Sequence, residues 1–123
     1  MHISDAEMEI MRIIWELDRE VTTKELTELL PEKKLTTIST LAGRLISKGA
    51  LTSEKIGRSH AHKYRALITE DEYKAMETRS FLRSIHRGSV KSLISALFRD
   101  EDLTKEDIDE LRSFINKGGE DDD

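Results

Sequence analysis

At 123 residues, with a formal net charge of −5 and no cysteine, the chain has room for one domain with a modest core, or for a small domain plus a segment that needs a partner to bury its apolar face. The lack of cysteine excludes a disulfide framework, a thiolate metal site and a cysteine nucleophile, and fits a reducing, cytoplasmic setting. Acids interrupt the apolar residues of 1–17, which argues against a signal peptide, and no apolar run approaches the roughly 20 residues of a membrane span, so a soluble protein without membrane insertion is expected.

Ser4 followed by Glu7 is a capping-box pattern, and Ala6, Ile10, Ile13, Ile14 and Leu17 recur behind it at helical spacing, which predicts a first helix. Residues 18–21 break the pattern. Thr22 and Glu25 repeat the capping box, and Leu26, Leu29 and Leu30 line one face of a short second helix that stops before Pro31. A third helix is expected over 37–48, with Thr36 as its N-cap and Gly49 as its C-terminal glycine. The texture then turns extended over 50–56 and 60–68 about Gly57, which reads as a β-hairpin. Three helices followed by a hairpin predict a winged helix-turn-helix in a mostly α chain with a small β wing.

From Thr69 onward the pattern is helical again. Thr69 and Glu72 cap a helix carrying Tyr73, Met76, Phe81, Leu82 and Ile85 up to Gly88. A fifth helix holds Val90, Leu93, Ile94, Leu97 and Phe98 on one stripe, and a sixth begins at Thr104 with Asp107 at its third position and Ile108, Leu111, Phe114 and Ile115 behind. The expected organisation is a DNA-binding domain over 1–69, a three-helix dimerisation domain over 70–117 and an acidic disordered tail over 118–123. About fifty residues of helix are near the limit for independent folding, so a homodimer is expected to bury Phe81, Ile85, Leu93, Leu97, Ile108, Leu111 and Ile115.

The modest net charge conceals a division. Residues 33–65 hold eight basic side chains against Glu54 alone, whereas 100–123 hold eleven acids against three bases. The first segment is suited to approach an anion and the second is not. Within the third helix, Ile38, Leu41, Ala42, Leu45 and Ile46 fall on a core arc at about 100° per residue. The opposite arc carries Thr36, Thr37, Thr40, Gly43, Arg44 and Ser47 and no acid. Helix stability does not select Thr, Ser and Gly, each of which costs a few tenths to about 1 kcal/mol relative to alanine. Small polar side chains do let a helix lie close to a groove floor, where threonine offers a hydroxyl and a methyl and arginine bonds guanine bidentately. Arg58, His60, Lys63 and Arg65 on or beside the hairpin are placed to grip a phosphate backbone.

The stretch Thr36-Thr-Ile-Ser-Thr-Leu-Ala-Gly-Arg-Leu-Ile-Ser-Lys-Gly-Ala-Leu51 resembles the recognition-helix signature of the BlaI/MecI penicillinase-repressor family, approximately TTVxTLLxRLxxKGxL. Ile3-Ser-Asp-Ala-Glu7 with Ile14-Trp15, Val21-Thr-Thr-Lys-Glu-Leu26, Gly57-Arg58 ahead of Tyr64, and Leu103-Thr-Lys-Glu-Asp-Ile-Asp-Glu-Leu111 match in the same order. The resemblance implies a homodimeric repressor on a palindromic double-stranded DNA operator, with Thr37, Thr40 and Arg44 at the family's contact positions and Lys63 and Tyr64 on the wing. Ser39 departs from relatives that carry a basic residue there. In the antibiotic-resistance members a membrane sensor protease system leads to cleavage of an Asn-Phe bond, and aligning on Lys91-Ser-Leu93 places Ala96-Leu97 at that point here. Copper-responsive relatives carry C-terminal cysteines, which this chain lacks.

Other features are weaker. His60 and His62 fall on one side of a strand but have no third ligand nearby, so neither metal nor cofactor is expected. Trp15 lies beside the core stripe of the first helix and reads as packing. The acids after residue 100 suit the first turns of a capped helix. No nucleophile with a paired base and no phosphate-cradling glycine loop is present, so an enzyme is not expected. A winged-helix module that docks a protein is the competing reading, and the acid-free face and lack of exposed aromatic anchors disfavour it.

Overall fold

The computed structural model describes residues 1–58, 61–99 and 103–119. Six helices and three short strands follow one another among them: α1 (Asp5–Leu17), β1 (Val21–Thr22), α2 (Thr23–Leu29), α3 (Leu35–Ser47), β2 (Leu51–Lys55), β3 (His62–Ala66), α4 (Glu70–His86), α5 (Val90–Arg99) and α6 (Lys105–Asn116). They form two compact units, Met1–Glu77 and Thr78–Asp123.

In the first unit, local chemistry starts most of the helices. Ser4 and Glu7 exchange side-chain and backbone hydrogen bonds at the head of α1, Thr22 and Glu25 do the same at α2, and Thr69 with Glu72 opens α4. Their apolar stripes meet in one core of Ile10, Met11, Ile14, Leu26, Ile38, Leu41, Leu45 and Leu51, closed by Val21, Tyr64 and Tyr73. The hairpin is present with β2 and β3 antiparallel and Lys55 opposite His62. It has a third member that the sequence reading missed. Val21, expected to fall in a break, and the cap residue Thr22 pair with Tyr64 and Lys63, so β3 lies between β1 and β2.

Two boundaries differ from expectation. α3 begins at Leu35 with Lys34 as N-cap and no side-chain cap bond, rather than at Thr37 behind a Thr36 cap. Its other end is as read: Gly49 takes φ +82°, its N–H reaches Ile46 O and that of Ala50 reaches Leu45 O, closing a Schellman turn. The unit boundary falls inside α4 rather than at 69/70, because Tyr73 is buried, its hydroxyl accepting from the Ile3 N–H at 2.9 Å, and Met76 packs on the same core. Trp15 is a packing residue, its indole N–H donating to Ile68 O at 2.9 Å and its ring 6.1 Å from Tyr73.

In the second unit Thr104 and Asp107 form the expected box at α6, and Ser89 caps α5 through the Ser92 N–H. Gly118 and Gly119 close the end of α6 with hydrogen bonds to Ile115 O and Phe114 O. Neither α5 nor α6 has a buried residue.

Candidate nucleic-acid interface

The outward face of α3 is the one read from the sequence. Ile38, Leu41, Ala42 and Leu45 are buried, while Thr36, Thr37, Ser39, Thr40, Gly43, Arg44 and Ser47 are exposed. Ile46, expected in the core arc, lies at its edge and is 37% exposed. Thr36, Thr37, Thr40 and Arg44 together line a shallow depression of about 260 Å³ on one flank of the helix. The Thr40 hydroxyl donates to Thr36 O at 2.9 Å, which leaves it an acceptor toward the outside and holds its methyl in a fixed direction. A Cβ built on Gly43 meets nothing within 4 Å, so the fold of this chain does not require glycine there.

α3 is also the helix whose first turn is left open. Its N-terminal N–H groups have no side-chain cap and no acid in the first turn, which leaves the positive end of the helix dipole available to an anion.

On the other flank, Leu35 and Ser39 face a cleft of about 500 Å³ completed by Thr23, Lys24 and Thr27 of α2 and by Ala61 and His62 of the wing. Sequence reasoning placed Ser39 on the interface but missed Leu35, Lys24 and Thr27. The signal for Lys24 and Thr27 is faint: two residues of a short capped helix whose neighbour in space is known only once the hairpin folds against it.

The wing residues divide. Arg58 is exposed in the turn after β2. Lys63 and Arg65 share the face of β3 that points away from Tyr64, but the Lys63 ammonium already sits between Glu20 at 3.3 Å and Glu54 at 3.6 Å, and these carboxylates push its pKa up. Tyr64 is corrected from a DNA contact to a core residue. It is 4% exposed, and its hydroxyl lies 3.4 Å from Thr23 Oγ1, within hydrogen-bond reach. The pleat forces this: with Lys63 outward, Tyr64 must point in.

Two more cations of the basic segment are engaged. Lys33 pairs with Glu9 at 2.8 Å, and Lys48 donates to His2 O and to the buried Glu7 carboxylate. Burial alone pushes the Glu7 pKa up, but the hydrogen bonds from Lys48 and Ser4 outweigh it and hold the group down at about 2. Among the described residues, Lys34, Arg44, Lys55, Arg58 and Arg65 are the exposed cations of this segment outside such pairs. His60 lies outside the described residues. No group of three metal-ligating side chains occurs among the described ones. No helix there is long and apolar enough to cross a membrane.

A second concavity of about 580 Å³ lies by Ile14 and Trp15, rimmed by Asp18, Arg19, Glu20, Arg65 and Glu70. Its charges are of both signs, and Arg19 is committed to Glu25, whose carboxyl this pair and the Thr22 N–H hold at about 2.

In the second unit, Phe81, Ile85, Leu97 and Ile115 are exposed, at 38–64%, and Leu93, Ile108 and Leu111 are half-buried. Ala96 and Leu97 fall inside α5.

Residues 3–117 match the family model described as penicillinase repressor. The chain is 33% identical over 117 residues to the penicillinase repressor of Bacillus licheniformis, covering 94% of this chain and 90% of the relative. It is 32% identical to the methicillin resistance regulatory protein MecI of Staphylococcus aureus strain N315, covering 94% of each. The solution structure of the DNA binding domain of the repressor BlaI superposes with a TM-score of 0.51 at 39% identity, over 58% of this chain and 88% of that one.

Proposed function

The chain belongs to the penicillinase repressor family and is a DNA-binding transcriptional repressor; from that premise we propose that it works in the cytoplasm as a homodimer on a palindromic operator, with the open face of α3 in the major groove and the wing on the backbone. The observation that carries the reading is the composition of that face. It exposes three threonines, two serines, a glycine and an arginine, with no acid, from a helix whose buried side is an ordinary apolar stripe. Such a surface fits between base edges and phosphates and costs helix stability, so docking rather than folding explains it.

Homodimerisation is supported by the apolar side chains that α4, α5 and α6 leave exposed. Two copies place two recognition helices on half-sites about one helical turn apart or a multiple of it. Release by a membrane sensor protease system, as the resemblance implies, would need local unwinding, because Ala96-Leu97 lies within α5 and its backbone is helical. Intact-mass analysis after incubation with a cognate sensor tests this, and an uncut chain points to a different signal.

The interface is tested by titrating the full chain against duplex DNA. Arg44→Ala is expected to lose roughly 1–3 kcal/mol on the operator and little on random sequence. Equal losses on both would reduce Arg44 to an electrostatic contact. Lys63→Ala is expected to flatten the salt slope by less than the roughly one unit of a free phosphate contact, because Glu20 and Glu54 already hold its charge. Arg65→Ala supplies the full-unit reference.

A further inference from the structure

We propose that Leu35 is a specificity-determining residue, seating a thymine 5-methyl group of duplex DNA in the cleft between the N-terminal ends of α2 and α3 and the wing. The inference rests on the operator-binding reading above and adds a base identity that the Thr and Arg flank of α3 does not supply.

Leu35 is the first residue of α3 and, apart from Ile46 at the edge of the core arc, the large apolar side chain that the helix exposes among small polar groups and Arg44. It is 55% exposed. A single exposed leucine is ordinary. This one lines a cleft whose lining is itself mainly apolar. The two threonine hydroxyls of the lining are already engaged: Thr27 Oγ1 donates to Thr23 O at 2.9 Å, and Thr23 Oγ1 donates to His62 O at 3.2 Å. The His62 Nδ1 has no hydrogen-bond partner among the described residues, but it is buried and so is not presented at the cleft surface. Between the Ser39 hydroxyl and the Lys24 ammonium at its edges, what the cleft offers an incoming base is therefore mainly carbon, from Leu35, Ala61 and the two threonines.

Duplex DNA presents one apolar substituent in the major groove, the C5 methyl of thymine. The position of the cleft selects the same partner. It is continuous with the α3 face through Ser39, whose hydroxyl suits the adjoining polar edge of a base, and Lys24 at its rim suits the phosphate beside it. Leu35 is thus placed where a groove-bound helix begins, to meet the methyl group that thymine has and cytosine lacks.

The test uses a duplex selected from a random pool by the full-length protein, with each thymine replaced in turn by deoxyuridine, which removes the methyl and leaves every base-pair hydrogen bond. One or two positions in each half-site are expected to weaken binding about fourfold, the value of one buried carbon. L35A is expected to bind the thymine and uracil duplexes alike, and L35M to retain the discrimination. Because Leu35 is exposed and alanine is a good helix former, L35A keeps the fold. The proposal is overturned if no deoxyuridine position weakens binding, or if L35A shows the same sensitivity as the parent. Failure of the pool to yield any preferred sequence would overturn the operator reading itself, and this proposal with it.

Discussion

Residues 1–77 and 78–119 use their apolar side chains in opposite ways. Every fully buried apolar residue described lies between Ile3 and Tyr73, enclosed by α1, α2, α3, the sheet and the first turns of α4. The second unit has helices just as regular and equally well capped, yet encloses none, and Phe81, Ile85, Val90, Phe98, Phe114 and Ile115 stand at 45–64% exposure. Capping and periodicity are thus enough to make helices in both units, but only the first converts them into a core of its own. A unit that exposes this much apolar surface suits completion from outside, and the homodimer proposed above would supply it.

The contrast breaks most visibly if the second unit is made polar. Ile85→Asp with Ile115→Asp alters two side chains that are 63% and 64% exposed, so the single chain loses little packing. The pair is expected to yield a monomer by sedimentation, with operator affinity reduced about a hundredfold or more, because two linked binding events become one. Thermal unfolding of the first unit should be unchanged. A dimer that persists would locate the association surface elsewhere.

The reverse experiment acts on the enclosed unit. Glu7 is 1% exposed and, through Lys48, ties the head of α1 to the C-terminal end of α3. Folding lowers its pKa from 4.5 to about 2. Its contribution is therefore complete above about pH 4.5 and is lost as pH falls through about 2, where the folded state must also take up the proton. A shift of that size corresponds to about 3 kcal/mol. Glu7→Gln should lower stability by roughly that amount at pH 7, with the gap to the parent closing on acidification, as followed by circular dichroism. A gap independent of pH would mean that shape rather than charge is at stake. Dimerisation should be unaffected.

What was legible in the sequence follows from how far each signal reaches. Ser4, Thr22, Thr69 and Thr104 announce their helices because a cap acts across three residues, and the buried stripe of α3 is a local period. β1 was invisible because two residues become a strand only by meeting Tyr64 and Lys63, more than forty positions away. Tyr64 is a wing position by the family resemblance, and the register that turns it into the core comes from its pairing with Val21 and Ser53, which no local signal announces. The basic segment looked more available than it is, since Glu9, Glu7 and Glu20 reach Lys33, Lys48 and Lys63 from outside it. Leu35 escaped notice for the same reason: its cleft is assembled from α2 and a wing that the linear order keeps apart.

The smallest effect separates folding from docking at a single atom. Gly43 sits on the exposed face of α3, and a Cβ there touches nothing within 4 Å. Gly43→Ala should therefore stabilise the first unit by up to about 1 kcal/mol, the helix propensity difference. If the helix lies against the floor of the major groove, the same methyl intrudes on the DNA, and operator affinity should fall several-fold while stability rises. Opposite signs in the two measurements are what a surface shaped for close approach produces. A variant that gained stability and bound as well as the parent would show that the Thr40 and Arg44 side chains reach DNA across a gap, with the backbone of α3 held away from it.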